Sequence, residues 1–190
     1  MKKLIFIMMV LVGLTATAQT SHLTFKGIPI DGSLNTFVGK LKQKGFTHMG
    51  SEQGVALLKG EFASYKGCTV FVSQHESGIV NRVAVVFPEK DTWSGLYGNY
   101  SSLKEMLTQK YGEPQEVVEE FQGYSKPRND GDRMYEVQFD RCKYYCDFIA
   151  DNGIIELRIA HDGVLSCFVT LLYIDSENEN KVQSSAIDDL

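Results

Sequence analysis

Apolar residues divide the chain into stretches of helical period and stretches that alternate. Leu34, Phe37, Val38 and Leu41 recur at helical spacing behind Ser33, a good N-cap. Lys40, Lys42 and Lys44 come late in the segment, where they suit the negative end of the helix dipole, and Gly45 supplies a stop. Trp93, Leu96, Tyr100, Leu103 and Leu107 repeat the spacing after Asp91-Thr92, up to Gly112-Glu113-Pro114. Most of the rest reads as strand: "GVALLKGEF", "CTVFVSQH" and "IVNRVAVVF" after the first helix, then "QEVVEEF", "RMYEVQF", "CKYYCDFIA", "IIELRIA" and "VLSCFVTLLYI" after the second. The pattern predicts an α+β fold of two successive helix-plus-antiparallel-sheet units, with the helices packed on one sheet face. Residues 122–132, "QGYSKPRNDGD", read as loop.

Pairing registers test which side chains share a face. A two-residue turn at Asn152-Gly153 sets Ala150, Phe148 and Cys146 opposite Ile155, Leu157 and Ile159, and Asp147 opposite Arg158 on the other side. A loop at His161-Asp162-Gly163 sets Cys167 against Leu157, and a turn at Asp140-Arg141 pairs Phe139 with Cys142 and Tyr135 with Cys146. Cys142, Cys146 and Cys167 then point into the core. Four residues apart on one strand, Cys142 and Cys146 lie about 13 Å apart, too far for a disulfide. A bridge from Cys68 stays open at this point. The Cys142–Cys146 spacing lacks the clustered ligands of a zinc site and the helix-start position of a redox pair, so it reads as sheet core.

The ends set the compartment. Lys2 and Lys3, the apolar run Leu4 to Leu14 and Ala16-Thr17-Ala18 have the layout of a secretory signal peptide over residues 1–18. The expected division is a first unit at 19–90, a second at 91–175 and a disordered acidic tail at 176–190. No transmembrane segment is expected after signal cleavage, and the protein is expected in the periplasm or secreted. Removing Lys2 and Lys3 takes the formal net charge from −5 to −7, which argues against a nucleic-acid partner.

Chemistry is sparse. His22, His48, His75 and His161 are scattered, and no nucleophile-elbow, zinc-protease or phosphate-loop motif occurs. The adjacent acids Glu119 and Glu120 should point to opposite faces of a strand. No catalytic residue, metal ligand or cofactor is expected, and the chain does not read as an enzyme. The surface of interest is the far side of the last hairpins, where Tyr145, Ile149, Phe168 and Leu172 form an apolar anchor with Asp147, Glu156 and Arg158 at its rim. The leading expectation is an exported, non-enzymatic module that binds another protein, inhibitor-like or assembly-factor-like. The alternative is a small-ligand module with a pocket between helices and sheet, walled by Trp93 and Tyr100. A hydrolase without a recognisable motif comes third.

The stretch "FKGIPIDGSLNTFVGKLKQKGF" after the leader resembles the start of uncharacterised secreted proteins of Bacteroidetes-type bacteria. The order of elements resembles β-lactamase inhibitory protein and small periplasmic assembly lipoproteins, which implies protein binding through sheet or loop surfaces. The likeness covers the order of elements only; no lipid-attachment cysteine follows the leader, and no inhibitor motif aligns.

Overall fold

The computed structural model describes residues 22–163 and 166–188; the expected signal peptide lies outside them. A small hairpin comes first, β1 (Thr24–Phe25) and β2 (Ile28–Pro29). Lys26 (φ 53) and Gly27 (φ 75) close it, both left-handed, as a type I′ turn demands. Helix α1 (Leu34–Gln43) starts where the Ser33 hydroxyl accepts the Thr36 N–H, and it stops before Gly45 at φ 92. Four strands follow: β3 (Thr47–Glu52), β4 (Val55–Phe62), β5 (Tyr65–Gln74) and β6 (Val80–Val86). Helix α2 (Trp93–Tyr111) is capped by the Thr92 side chain on the Gly95 N–H and ends at Gly112. The chain continues through β7 (Glu116–Phe121), α3 (Asp130–Gln138), β8 (Cys142–Ala150), β9 (Gly153–Asp162), β10 (Ser166–Asp175) and α4 (Ser176–Asp188).

The fold is α+β: the strands from β3 onward form one antiparallel eight-stranded sheet beside the two-stranded β1–β2 sheet. Its order is β3-β4-β5-β6-β10-β9-β8-β7, so β6 and β10 meet at the centre. One face of the large sheet carries Leu58, Val70, Val85, Leu171, Leu157 and Phe148 into a single core. Phe37 and Leu41 of α1, Leu96 and Tyr100 of α2, and Met134 and Val137 of α3 close over it, together with the β1–β2 hairpin. Each large apolar side chain fully buried there stabilises the fold by about 1.5–3 kcal/mol relative to exposure.

Three expectations are corrected. "RMYEVQF" is not a strand but most of α3: Asn129 caps it on the Asp132 N–H, Asp130 and Asp132 favour its first turn, and Met134 and Val137 face inward. Phe139 therefore ends a helix, followed by Asp140 at φ 57, and β8 pairs with β7: Cys142 lies opposite Phe121 and Cys146 opposite Val117. The hairpin registers also differ. Ala150 pairs Gly153, and Cys146 pairs Leu157, because Asp151-Asn152 forms the turn and Gly153 already belongs to β9. Cys167 pairs His161 rather than Leu157. The shifts are by two and by four residues, so every side chain keeps its expected face. Finally, residues 176–188 are helical rather than disordered. Asp175, fully buried, accepts the Asn178 N–H (2.9 Å), and the buried Asn178 amide donates to the Ile30 and Val80 carbonyls (3.0 and 3.1 Å). Specific hydrogen bonds to buried backbone order a segment that has little apolar surface to bury.

The cysteines are all free thiols: Cys68, Cys146 and Cys167 are fully buried, and Cys142 packs at the core's edge. Burial raises all four thiol pKa values, that of Cys142 to about 12.

Candidate functional site

The second face of the large sheet is the candidate site. None of its side chains is buried, although many are apolar. Strand pairing arranges them in rows that run across the sheet. The first row is Ile149–Ile154–Ile174–Arg82–Ser73–Val55. The next is Glu116–Asp147–Glu156–Leu172–Ala84–Phe71–Leu57. A third is Val118–Tyr145–Arg158–Thr170–Val86–Thr69–Lys59. Phe71 is 37% exposed, Ile154 38% and Ile149 51%, all well above the exposure of core residues of their type.

All seven sequence-predicted site residues lie on this face. Tyr145, Asp147 and Ile149 project from β8, Glu156 and Arg158 from β9, and Phe168 and Leu172 from β10. Reasoning from the last hairpins alone missed the contribution of β4 to β6, where Leu57, Phe71, Ala84 and Val86 extend the apolar surface. Their alternation with core residues was a readable signal; the pairing of β6 with β10 that joins the two halves was not. A shallow depression of about 380 Å³ at this end is lined by Gly50, Ser51, Glu52, Val55, Leu57 and Phe71.

The electrostatics depend on the observed register. Asp147 does not face Arg158, as a turn at Asn152-Gly153 would require. It lies between Glu116 and Glu156, and Arg158 lies opposite Tyr145. The Tyr145 hydroxyl donates to Glu116 (3.0 Å), Arg158 bonds Glu156 (3.0 Å), and its guanidinium also lies 5.6 Å from the Tyr145 ring centre. Asp147 Oδ1 is buried and has no hydrogen-bond partner. Desolvation, then the charges of Glu156 and Glu116, raise its pKa above the ordinary carboxylate value, against a smaller lowering by Arg158. An unpaired buried acceptor costs about 1–3 kcal/mol, and like charges directly opposed across strands add to that. The bond to Glu116 is the main reason the Tyr145 phenol is raised as well.

The alternative pocket takes a different form. A cleft of about 430 Å³ between α2 and β7 is lined by Tyr97, Tyr100, Lys104 and Glu119 among others. Glu119 accepts from Lys104 (2.6 Å) and from the Tyr100 hydroxyl (3.3 Å), so its polar floor is already engaged. Tyr100 is fully buried, and Trp93 packs into the core against Phe121 and Tyr144, both with ring centres at 5.0 Å. Glu119 turns towards α2, whereas Glu120 lies in a row with Lys143 on the open face. Among the described residues no group of three or more His, Cys, Asp or Glu side chains is placed to hold a metal, and no helix is long and apolar enough to cross a membrane.

Comparison with family models, curated proteins and solved structures finds no match, so the open face has to be read from its own geometry.

Proposed function

We propose that this chain is an exported, non-enzymatic binding module that docks another protein on the open face of its sheet. The observation that carries the reading is the absence of any buried residue on a face bearing Phe71, Leu172, Ile154 and Ile149. Contiguous exposed apolar surface of this kind marks interaction sites. At usual strand spacing and rise the face measures roughly 34 Å by 20–23 Å, or about 700–800 Å². That is close to the roughly 800 Å² per partner of a standard protein–protein interface. The order of elements, α1 before β3–β6 and α2 before β7–β10, supports reading the sheet as two successive units joined at β6 and β10.

The test is capture from envelope and secreted fractions of the source cell, with mature chain and a Phe71→Lys, Leu172→Lys variant as baits, both checked for folding by circular dichroism. The reading expects a partner held by the mature chain and lost by the variant. Equal captures, or none, overturn it and move attention to the cleft between α2 and β7.

A further inference from the structure

The acidic row and the apolar strip together constrain what can sit on this face. Glu116, Asp147 and Glu156 stand side by side with one guanidinium, Arg158, bonded among them. Tyr145 satisfies part of Glu116, Arg158 satisfies part of Glu156, and Asp147 Oδ1 is left with nothing. Along β8, Asp147 is flanked on the same face by Tyr145 and Ile149; along β9, Glu156 is flanked by Arg158 and Ile154. Asp147 is thus flanked by carboxylates across the strands, near the β7 edge of the sheet, and by Tyr145 and Ile149 along its own strand.

A second copy of the chain fits poorly. A two-fold axis along the strands through the sheet centre lays Glu156 and Asp147 over Phe71 and Leu57. A two-fold axis across the strands along the acid row lays the acids over themselves; along the Tyr145–Arg158–Thr170 row it brings Lys143 to Asp147 but lays Arg158 over itself, Glu116 over Glu120 and Glu156 over Ala160. Each arrangement buries a carboxylate against an apolar or like-charged group, which is costly. A surface of opposite charge meets neither objection.

We infer that the partner is a different protein whose docking strand presents a lysine or arginine between two apolar residues, at positions i−2 and i+2, so that its cation closes on Asp147 while the flanking side chains pack on Ile149 and Tyr145. Period-two spacing follows from sheet-on-sheet packing, in which the facing strands run nearly aligned. This inference rests on the reading of the open face as a docking surface. It also gives the row of carboxylates a role: the partner's cation offsets the negative charge that Glu116, Asp147 and Glu156 crowd together on the isolated chain.

The probes are two disulfide-closed β-hairpins that differ in one residue, one showing Leu-x-Lys-x-Phe on a face and its twin Leu-x-Glu-x-Phe. Binding is followed by amide NMR shifts on the isotope-labelled chain, with salt as a variable. The lysine hairpin should move signals of β8, β9 and β10, weaken as salt rises, and lose about tenfold or more in affinity with Asp147→Asn. Glu105→Gln, an exposed change on α2, should leave its affinity unchanged. The glutamate twin should not bind. Equal binding by the two hairpins, binding by neither, or indifference to Asp147→Asn overturns the cationic partner; so does a concentration-dependent dimer abolished by Phe71→Lys in sedimentation velocity. If the capture experiment still depends on Phe71 and Leu172 in those cases, the docking face survives and only the partner's chemistry is wrong. If capture is also indifferent, both fall.

Discussion

Gly153 lies so close to Ile174 that a β-carbon on it would collide with the Ile174 carbonyl oxygen and press on Leu23. The glycine is there for close approach between β9 and β10, at the point where β10 passes into α4, and not for a turn. Gly153→Ala should therefore destabilise the fold by about 1–3 kcal/mol, the usual cost of forcing atoms into a packed site. Urea denaturation of the two proteins measures it. A change of a few tenths of a kcal/mol would mean that the backbone there relaxes freely.

This glycine also explains what the sequence could and could not convey. An Asn-Gly pair is the strongest short-range turn signal, yet tertiary contact claimed the glycine and moved the turn to Asp151-Asn152. Alternation assigned Cys146, Phe148, Leu157 and Cys167 to the core side correctly, because an error of two or four residues leaves the face unchanged. It could not distinguish Asp147–Arg158 from Asp147–Glu156, and the charge pattern of the site depends on that difference. Helices α1 and α2 were legible through their local caps at Ser33 and Thr92. In α3 and its cap, Tyr135, Val137 and Phe139 mimic a strand's period, although the buried residues of the helix are Met134, Glu136 and Val137. Strand β3, exposed at all six positions, carries no hydrophobic period to read.

Asp175 joins three parts of the chain. Its fully buried carboxylate accepts the Leu23 N–H (2.7 Å) and the Asn178 N–H (2.9 Å), and the part-buried His22 Nδ1 lies 3.1 Å from it. Asp175→Ala strands two backbone donors and should cost about 3 kcal/mol. Far-UV circular dichroism should show reduced helicity as α4 loosens. Unchanged helicity would show that Asn178 alone holds the helix.

His161 bridges the β9–β10 turn to the end of α3. Its Nε2 meets Asp140 Oδ1 at 2.9 Å and its Nδ1 meets the Gly163 carbonyl at 2.8 Å, so both nitrogens face acceptors and the doubly protonated ring suits the site. The Asp140 bond, then the Gly163 carbonyl, raise its pKa above the ordinary 6.5. A raised folded value means the contribution to stability is complete below pH about 6.5 and is lost as pH climbs through the folded value. Imidazole NMR titration should place His161 above 6.5, and Asp140→Asn should lower it. Salt should shrink the difference, because the Asp140 carboxylate is largely exposed.

The thiols offer a direct check on the core. With Cys68, Cys146 and Cys167 fully buried, and the Cys142 pKa near 12, almost no thiolate is available at pH 8. Ellman's reagent should find four thiols per chain in guanidinium without reductant, and essentially none within minutes in the native protein. Two or fewer after unfolding would reveal a disulfide and contradict the free-thiol core.

Asp147 provides the sharpest test of the idea that the open face trades stability for binding. Its folded pKa is raised above 3.8, so the folded state holds the proton longer than the unfolded one as pH rises. Stability is consequently lost as pH climbs from about 3.8 through the folded value, and that loss persists at neutral pH. Asp147→Asn removes the charge opposed to Glu116 and Glu156 and gives the site an amide that can donate to either of them. The variant should be more stable than the parent at pH 7, by about 0.5–1 kcal/mol on the scale of cross-strand pairs. The gain should fade below pH 3.8, where the parent's own carboxyl is protonated. Thermal unfolding of both proteins at pH 7 and pH 3.5 decides it. A stabilised variant that no longer holds the partner would show that the acid is kept for docking; a destabilised one would show that Asp147 supports the sheet itself.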